Sequence, residues 1–132
     1  MQIRQLLENL IENALDAMPE GGKLTITTIL KPEHTFKSQG HEYMADAMEI
    51  IVEDTGIGIG QDDLQLIFQP FYTQKARGTG LGLALVQKIT DMHHGEIEVE
   101  SAAGLGSRFT VRIPKDQTLA GPAVSNSAKG KA

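Results

Sequence analysis

The sequence contains no cysteine and no tryptophan, only four Phe and two Tyr, and five Pro among its 132 residues. Without cysteine there are no disulfides, no thiolate zinc sites and no cysteine nucleophile. No apolar run approaches the ~20 residues a bilayer-crossing helix needs, and Met1 leads into amphipathic sequence rather than a signal peptide. The chain therefore reads as soluble, cytoplasmic by default and without membrane contact of its own. An excess of positive charge is also missing: 12 Lys plus Arg stand against 17 Asp plus Glu, a net charge of -5. That balance argues against a nucleic-acid binder working through a basic surface. Hydrophobic residues at 40% and charged residues at 22% are globular values, and the length suits one domain. What is abundant is glycine, with nine of the 14 lying between Gly56 and Gly106.

Charge divides the chain. Residues 1–114 carry 9 basic and 16 acidic side chains, whereas residues 115–132 carry three Lys and one Asp in small, polar, aperiodic sequence. The first part is expected to be the domain and the second a disordered tail.

From Ile3 to Met18 the apolar residues fall at 3, 6, 7, 10, 11, 14, 15 and 18, an i, i+3, i+4 series that predicts an amphipathic helix ended by Pro19 and Gly21-Gly22. Residues 24–30 and 48–53 are rich in β-branched side chains and predict strands, with an irregular loop over 31–46 between them. A short helix is expected over 61–68, a longer one over 81–93, and a closing hairpin from strands 96–101 and 107–114. This order has too few βαβ units for a doubly wound sheet. It suits an α+β fold, a two-layer α/β sandwich with helices on one face of a mixed sheet.

Chemistry-bearing residues sit at the joints. Asn9 and Asn13 share one side of the first helix, either as a solvated polar face or as neutral amide acceptors beside a bound group such as Mg²⁺. Asp54 ends a strand and is followed by Gly56, Gly58 and Gly60, which is either a Gly-rich turn or a backbone that lets a planar ligand approach. Gly78-Thr79-Gly80-Leu81-Gly82 opens the long helix, where N–H donors and the positive end of the helix dipole suit phosphate. Its spacing is neither GxGxxG after a strand nor GxxxxGK[ST]. Between the two runs, Phe68, Phe71 and Tyr72 crowd beside Lys75 and Arg77, as a satellite of the core or as a hinged lid.

In order, NLIENALDAM, EDTGIGI, FQPFYTQK, GTGLGLALV and GLGSRF resemble the N, G1, F, G2 and G3 boxes of the catalytic, ATP-binding domain of sensor histidine kinases, in the Bergerat or GHKL group. The resemblance covers about residues 3–114. It implies ATP and Mg²⁺ as cofactors, with Asn13 the metal ligand and Asn9 supporting the triphosphate. It further implies that Asp54 accepts a hydrogen bond from the adenine amine, with Gly56, Gly58 and Ile59 along the base. Gly78, Thr79, Gly80, Leu81 and Gly82 would cradle phosphates, and Lys75 and Arg77 would steady the γ-phosphate. Phe68 and Phe71 resemble the pair that couples the lid to a partner domain, and Thr110 with the Gly106-Ser107 turn is expected near the base. Asp16 departs from the pattern, since many relatives have a basic residue there. His93-His94-Gly95 stands where His-Gly-Gly is usual and is read as structural, while His34 and His41 are expected to be solvated.

The implied reaction is transfer of the ATP γ-phosphoryl group to a histidine on a dimerisation domain, which then serves a response regulator. An acceptor box resembling HExxxP is absent. His41-Glu42 begins such a string but continues Tyr-Met-Ala-Asp. The chain is thus expected to be an excised half of a kinase that does not phosphorylate itself. Two alternatives stand beside this. A hydrolytic ATPase resembling gyrase B or MutL would need a Glu four residues before the metal Asn, where this chain has Asn9. A non-catalytic nucleotide sensor would use the same binding groups without transfer.

Overall fold

The computed structural model describes residues 2–38, 40–72 and 81–115. Its elements run α1 (Gln2–Asp16), β1 (Leu24–Ser38), β2 (His41–Asp54), α2 (Gly82–Met92), β3 (Glu96–Ala102) and β4 (Gly106–Pro114). The expected α+β sandwich is present, with one refinement: the sheet, in the order β1-β2-β4-β3, is antiparallel throughout rather than mixed.

The apolar period of α1 buries Leu6, Leu10 and Ala14. The helix tightens at its end, where Ala17 N–H reaches both Asn13 O (3.1 Å) and Ala14 O (3.2 Å), and Pro19 prevents continuation. Val86 and Ile89 of α2 join that face against Ile50 and Val52 of β2 and Phe109, Val111 and Ile113 of β4, with Ile97 and Val99 of β3 packed alongside. One face of the sheet is thereby covered.

The strands alternate, so their other residues form an outer face of charge. Arg108 lies in register between Glu53 and Glu100 and bonds both, and Arg112 pairs with Glu49 and Glu98. The Arg112–Glu49 contact, at 2.6 Å, joins side chains only 13% and 11% exposed.

The segment over 31–46 is not the loop its composition suggests. β1 and β2 run on through it as a long hairpin arm, with a register shift between Lys31 and His34 where Glu33 adopts φ 53°. The arm has its own small core of Phe36, Ala45 and Ala47 with Tyr43 against it, the Phe36 and Tyr43 rings stacked at 5.1 Å. It is fastened to the start of β3: His34 Nε2 meets Glu96 Oε1 at 2.9 Å, Lys37 N–H donates to Glu96 Oε2 at 2.9 Å, and Tyr43 OH donates to His94 O. His34 is therefore half-buried and paired, not solvated.

Residues 61–69 also differ from expectation. They form successive turns, such as Asp63 N–H to Gly60 O at 3.0 Å and Leu66 N–H to Asp63 O at 2.8 Å, in place of a short helix. The tail expected over 115–132 lies outside the described residues except for Lys115, whose N–H donates to Asp46 O at 2.8 Å.

Candidate functional site

Asp54 is the last residue of β2 and is buried on the helix side of the sheet. Its Oδ1 accepts the Gly56 N–H at 2.9 Å, which caps the turn and orients the carboxylate. Ser107, opposite Asp54 in the β2–β4 register, is buried beside it.

The loop that follows is stitched on two sides. Toward α1, Ile57 N–H donates to Ala17 O at 3.0 Å, and a Cβ on Gly56 would collide with that same carbonyl. Toward the β3–β4 turn, Gly104 N–H donates to Ile57 O at 2.6 Å and Ile59 N–H to Ser101 Oγ at 2.8 Å. Gly58 adopts φ +73°, and a Cβ there would fall against Ala102 O. Thr55 Oγ1 adds a tie on a third side, toward the start of β1, by accepting Lys23 N–H at 2.9 Å. Close backbone approach thus accounts for Gly56 and Gly58 before any ligand is invoked.

The two helices meet near the proposed phosphate side. Asn9 Nδ2 donates to Gln5 O at 3.0 Å, which turns Oδ1 toward α2, where a Cβ on Gly82 would lie 3.3 Å from it. Asn13, one turn on, is half-buried, and its amide makes no hydrogen bond to another described residue. Neutral amide oxygens at i and i+4 fit a hard cation such as Mg²⁺, which takes few protein ligands and keeps several waters. At the start of α2, Leu81 is exposed and supplies no side-chain cap.

Phe68 and Phe71 separate. Phe68 packs edge-on to Phe109 with ring centroids 6.4 Å apart, while Phe71 is 75% exposed and holds φ 69°, a backbone state that bulky side chains rarely adopt. Lys75, Arg77, Gly78, Thr79 and Gly80 lie outside the described residues.

Thr110 requires a correction. It lies between Ile51 and Glu98 in register, on the outer face with Arg108 and Arg112, because its neighbours Phe109 and Val111 point into the core. The sheet separates it from Asn9 and Asn13. Conversely, Ser101 joins the site although it lies in none of the five boxes. Its signal is a polar residue in phase with the inward Ile97 and Val99 of β3. The other helix end supports the structural reading of the two histidines. Gly95 N–H reaches Thr90 O and His94 N–H reaches Asp91 O, a Schellman closure with His94 at φ 62°, while His93 Nδ1 contacts Ile89 O at 3.0 Å. A separate groove of about 370 Å³, lined by Lys37, Gln87, Asp91 and Glu96, shares no lining residue with this site.

The family described as histidine kinase-, DNA gyrase B- and HSP90-like ATPase matches residues 1–117. Sensor histidine kinase RppB of Synechocystis is 43% identical over 119 residues, covering 86% of this chain and 23% of that protein. Sporulation kinase C of Bacillus subtilis is 40% identical over 113 residues, with 86% and 23% covered. Among solved structures, the catalytic domain of histidine kinase ThkA superposes with a TM-score of 0.67 at 35% identity, covering 88% of this chain and 68% of that one. Full-length ShkA in complex with AMPPNP gives 0.65 at 28% identity, over 86% and 21%. The chain belongs to this ATPase family, as a catalytic ATP-binding domain of the sensor histidine kinase type. It spans less than a quarter of the length of these curated relatives.

Proposed function

We propose that this domain binds ATP with Mg²⁺ between α1, the loop after Asp54 and the start of α2, and transfers the γ-phosphoryl group to a histidine of a separate dimerisation domain. The observation that carries it is the convergence of Asn9 on Gly82 at one end of the site and the buried, capped Asp54 at the other. In this reading Asp54 selects the adenine amine, the loop through Gly56, Gly58 and Ile59 presents backbone to the base, and Leu81 and Gly82 lead phosphates onto the α2 dipole. Lys75, Arg77 and the Gly78–Gly80 run complete the phosphate side. Asn13, with Asn9 behind it, would hold Mg²⁺, which when bound supplies charge neutralisation to the phosphates. Asn9 cannot act as a general base, so the site orients a nucleotide without activating water. That favours transfer over hydrolysis.

The partners follow: the dimerisation domain of the same kinase, a response regulator downstream, and the cytoplasm as the compartment. We place the domain at residues 1–114. No helix among the described residues is long and apolar enough to cross a membrane. The test mixes the domain and γ-labelled ATP with and without a separately produced dimerisation hairpin. Acid-labile label on the hairpin is expected. Rapid phosphate release by the domain alone would point to an ATPase, and neither label nor release to a sensor.

A further inference from the structure

We infer that Ser101 is a positioning residue for nucleotide binding, its hydroxyl locking the loop after Asp54 to the β3–β4 turn. This rests on the ATP-binding reading above. Ser101 Oγ accepts the Ile59 N–H at 2.8 Å, donates to Gly106 O at 2.9 Å and meets Ser107 Oγ at 2.7 Å. A serine hydroxyl has one proton to give and two lone pairs to fill. With Ser107 donating, all three capacities of Ser101 are used, and each bond goes to a different part of the site: the loop, the turn, and the residue in register with Asp54.

The placement explains why a side chain is needed here. The loop passes over β3 at Gly58, which is pressed against Ala102 O, and at Ile57, whose carbonyl takes the Gly104 N–H. Ile59 is where it leaves the strand, and there no β3 backbone acceptor takes the loop N–H; the Ser101 hydroxyl takes it instead. Its own carbonyl receives Gln61 Nε2 at 3.2 Å, so Ser101 marks the exit of the loop on both its side-chain and backbone sides. Ser101 does not touch the proposed ligand. It acts through Ile59 and Ser107.

The experiment compares wild type with Ser101→Ala, Ser101→Cys and Ser101→Thr by calorimetric titration with Mg-AMPPNP, well below each melting temperature, together with amide hydrogen exchange at Ile59. Alanine leaves Ile59 N–H without the Ser101 hydroxyl that accepts it and removes the side-chain donor to Gly106 O, and should weaken AMPPNP about tenfold. Cysteine nearly keeps the shape but offers only a weak thiol, so it should fall between alanine and wild type, while threonine restores the hydroxyl and the affinity. Exchange at Ile59 should accelerate in Ala and Cys while the β3–β4 ladder stays protected. Equal affinity of all folded variants, or weakening in Cys and Thr alike, would overturn the inference and leave Ser101 a packing residue. Failure of wild type to bind AMPPNP would instead overturn the ATP-binding reading.

Discussion

The two ends of β2 are held by different means. At the Asp54 end most contacts are backbone against backbone, or backbone to a small hydroxyl: Gly58 against Ala102 O, Gly106 against Asp54 O, Ile57 N–H on Ala17 O, Ile59 N–H on Ser101 Oγ. At the arm end they are made by larger side chains: the Phe36–Tyr43 stack, the His34–Glu96 pair, the Tyr43 hydroxyl on His94 O. A ligand that must reach main-chain groups needs a loop fixed without bulk, so glycines and small hydroxyl side chains serve. An arm that only has to stay docked can use whatever side chains fill the space. Nucleotide affinity should therefore depend on the first end, and stability on both.

The comparison breaks first at Gly58. A Gly58→Ala chain meets the left-handed backbone penalty, ~1–2 kcal/mol, and also drives a methyl into Ala102 O, which moves the loop. Chemical denaturation should show a loss of about 3 kcal/mol or more, and calorimetry no measurable AMPPNP binding. Gly104→Ala is the control. Gly104 has φ +82° but nothing within 4 Å of an added Cβ, so only the conformational cost of about 1 kcal/mol is expected. Equal effects at the two glycines would show that backbone proximity is not what fixes the loop.

Asn13→Ala comes next. Changes to residues that only hold a metal's ligands in place already cost about 10–100-fold, so removal of a direct ligand should weaken Mg-dependent AMPPNP binding by about 100-fold or more. The denaturation midpoint should be unchanged, because the amide bonds no other described residue. Unaltered affinity would remove Asn13 from the metal site.

These contrasts also explain what was legible in advance. The α1 period, the β3–β4 alternation and the glycine runs could be read because one strong constraint governs each residue. The arm could not. Pro32 and the bulge at Glu33 interrupt its alternation, and Ala45 and Ala47 fill its core with side chains too small to register as an apolar face. Leu64, Ile67 and Phe68 have helical spacing, yet a run of tight turns brings the same residues to the core. Thr110 falls on the opposite face from the one the resemblance implies, because motif order tells which residues are near, not which face they occupy. The phase of Phe109 and Val111 decides that, and the same phase on β3 points Ser101 inward.

At the arm, Phe36→Ala should cost about 3 kcal/mol, at the low end for deleting a buried aromatic, because its satellite core can partly collapse. AMPPNP affinity of the folded variant should stay within about twofold of wild type. A tenfold loss would mean that the arm, through its hold on the end of α2, governs the site at the helix's other end.

The smallest effect tests the arm's fastening by pH. The Tyr43 phenol is pushed up from 10.0 to about 12, by burial first and by the Glu96 carboxylate second. An acid whose pKa is higher in the folded chain holds its proton more tightly there, so folding is favoured wherever the phenol stays protonated. That contribution is whole below pH 10 and drains away as the pH rises toward 12. Tyr43→Phe should be less stable than wild type at pH 7 by about 1 kcal/mol, having lost the bond to His94 O. The difference should shrink as the pH climbs from 10 to 12, because Tyr43→Phe lacks this titration. Urea melts at pH 7, 10 and 11.5 measure it. Parallel stability curves would mean that the hydroxyl does not fasten the arm, leaving the Phe36 stack and the Glu96 contacts to hold it.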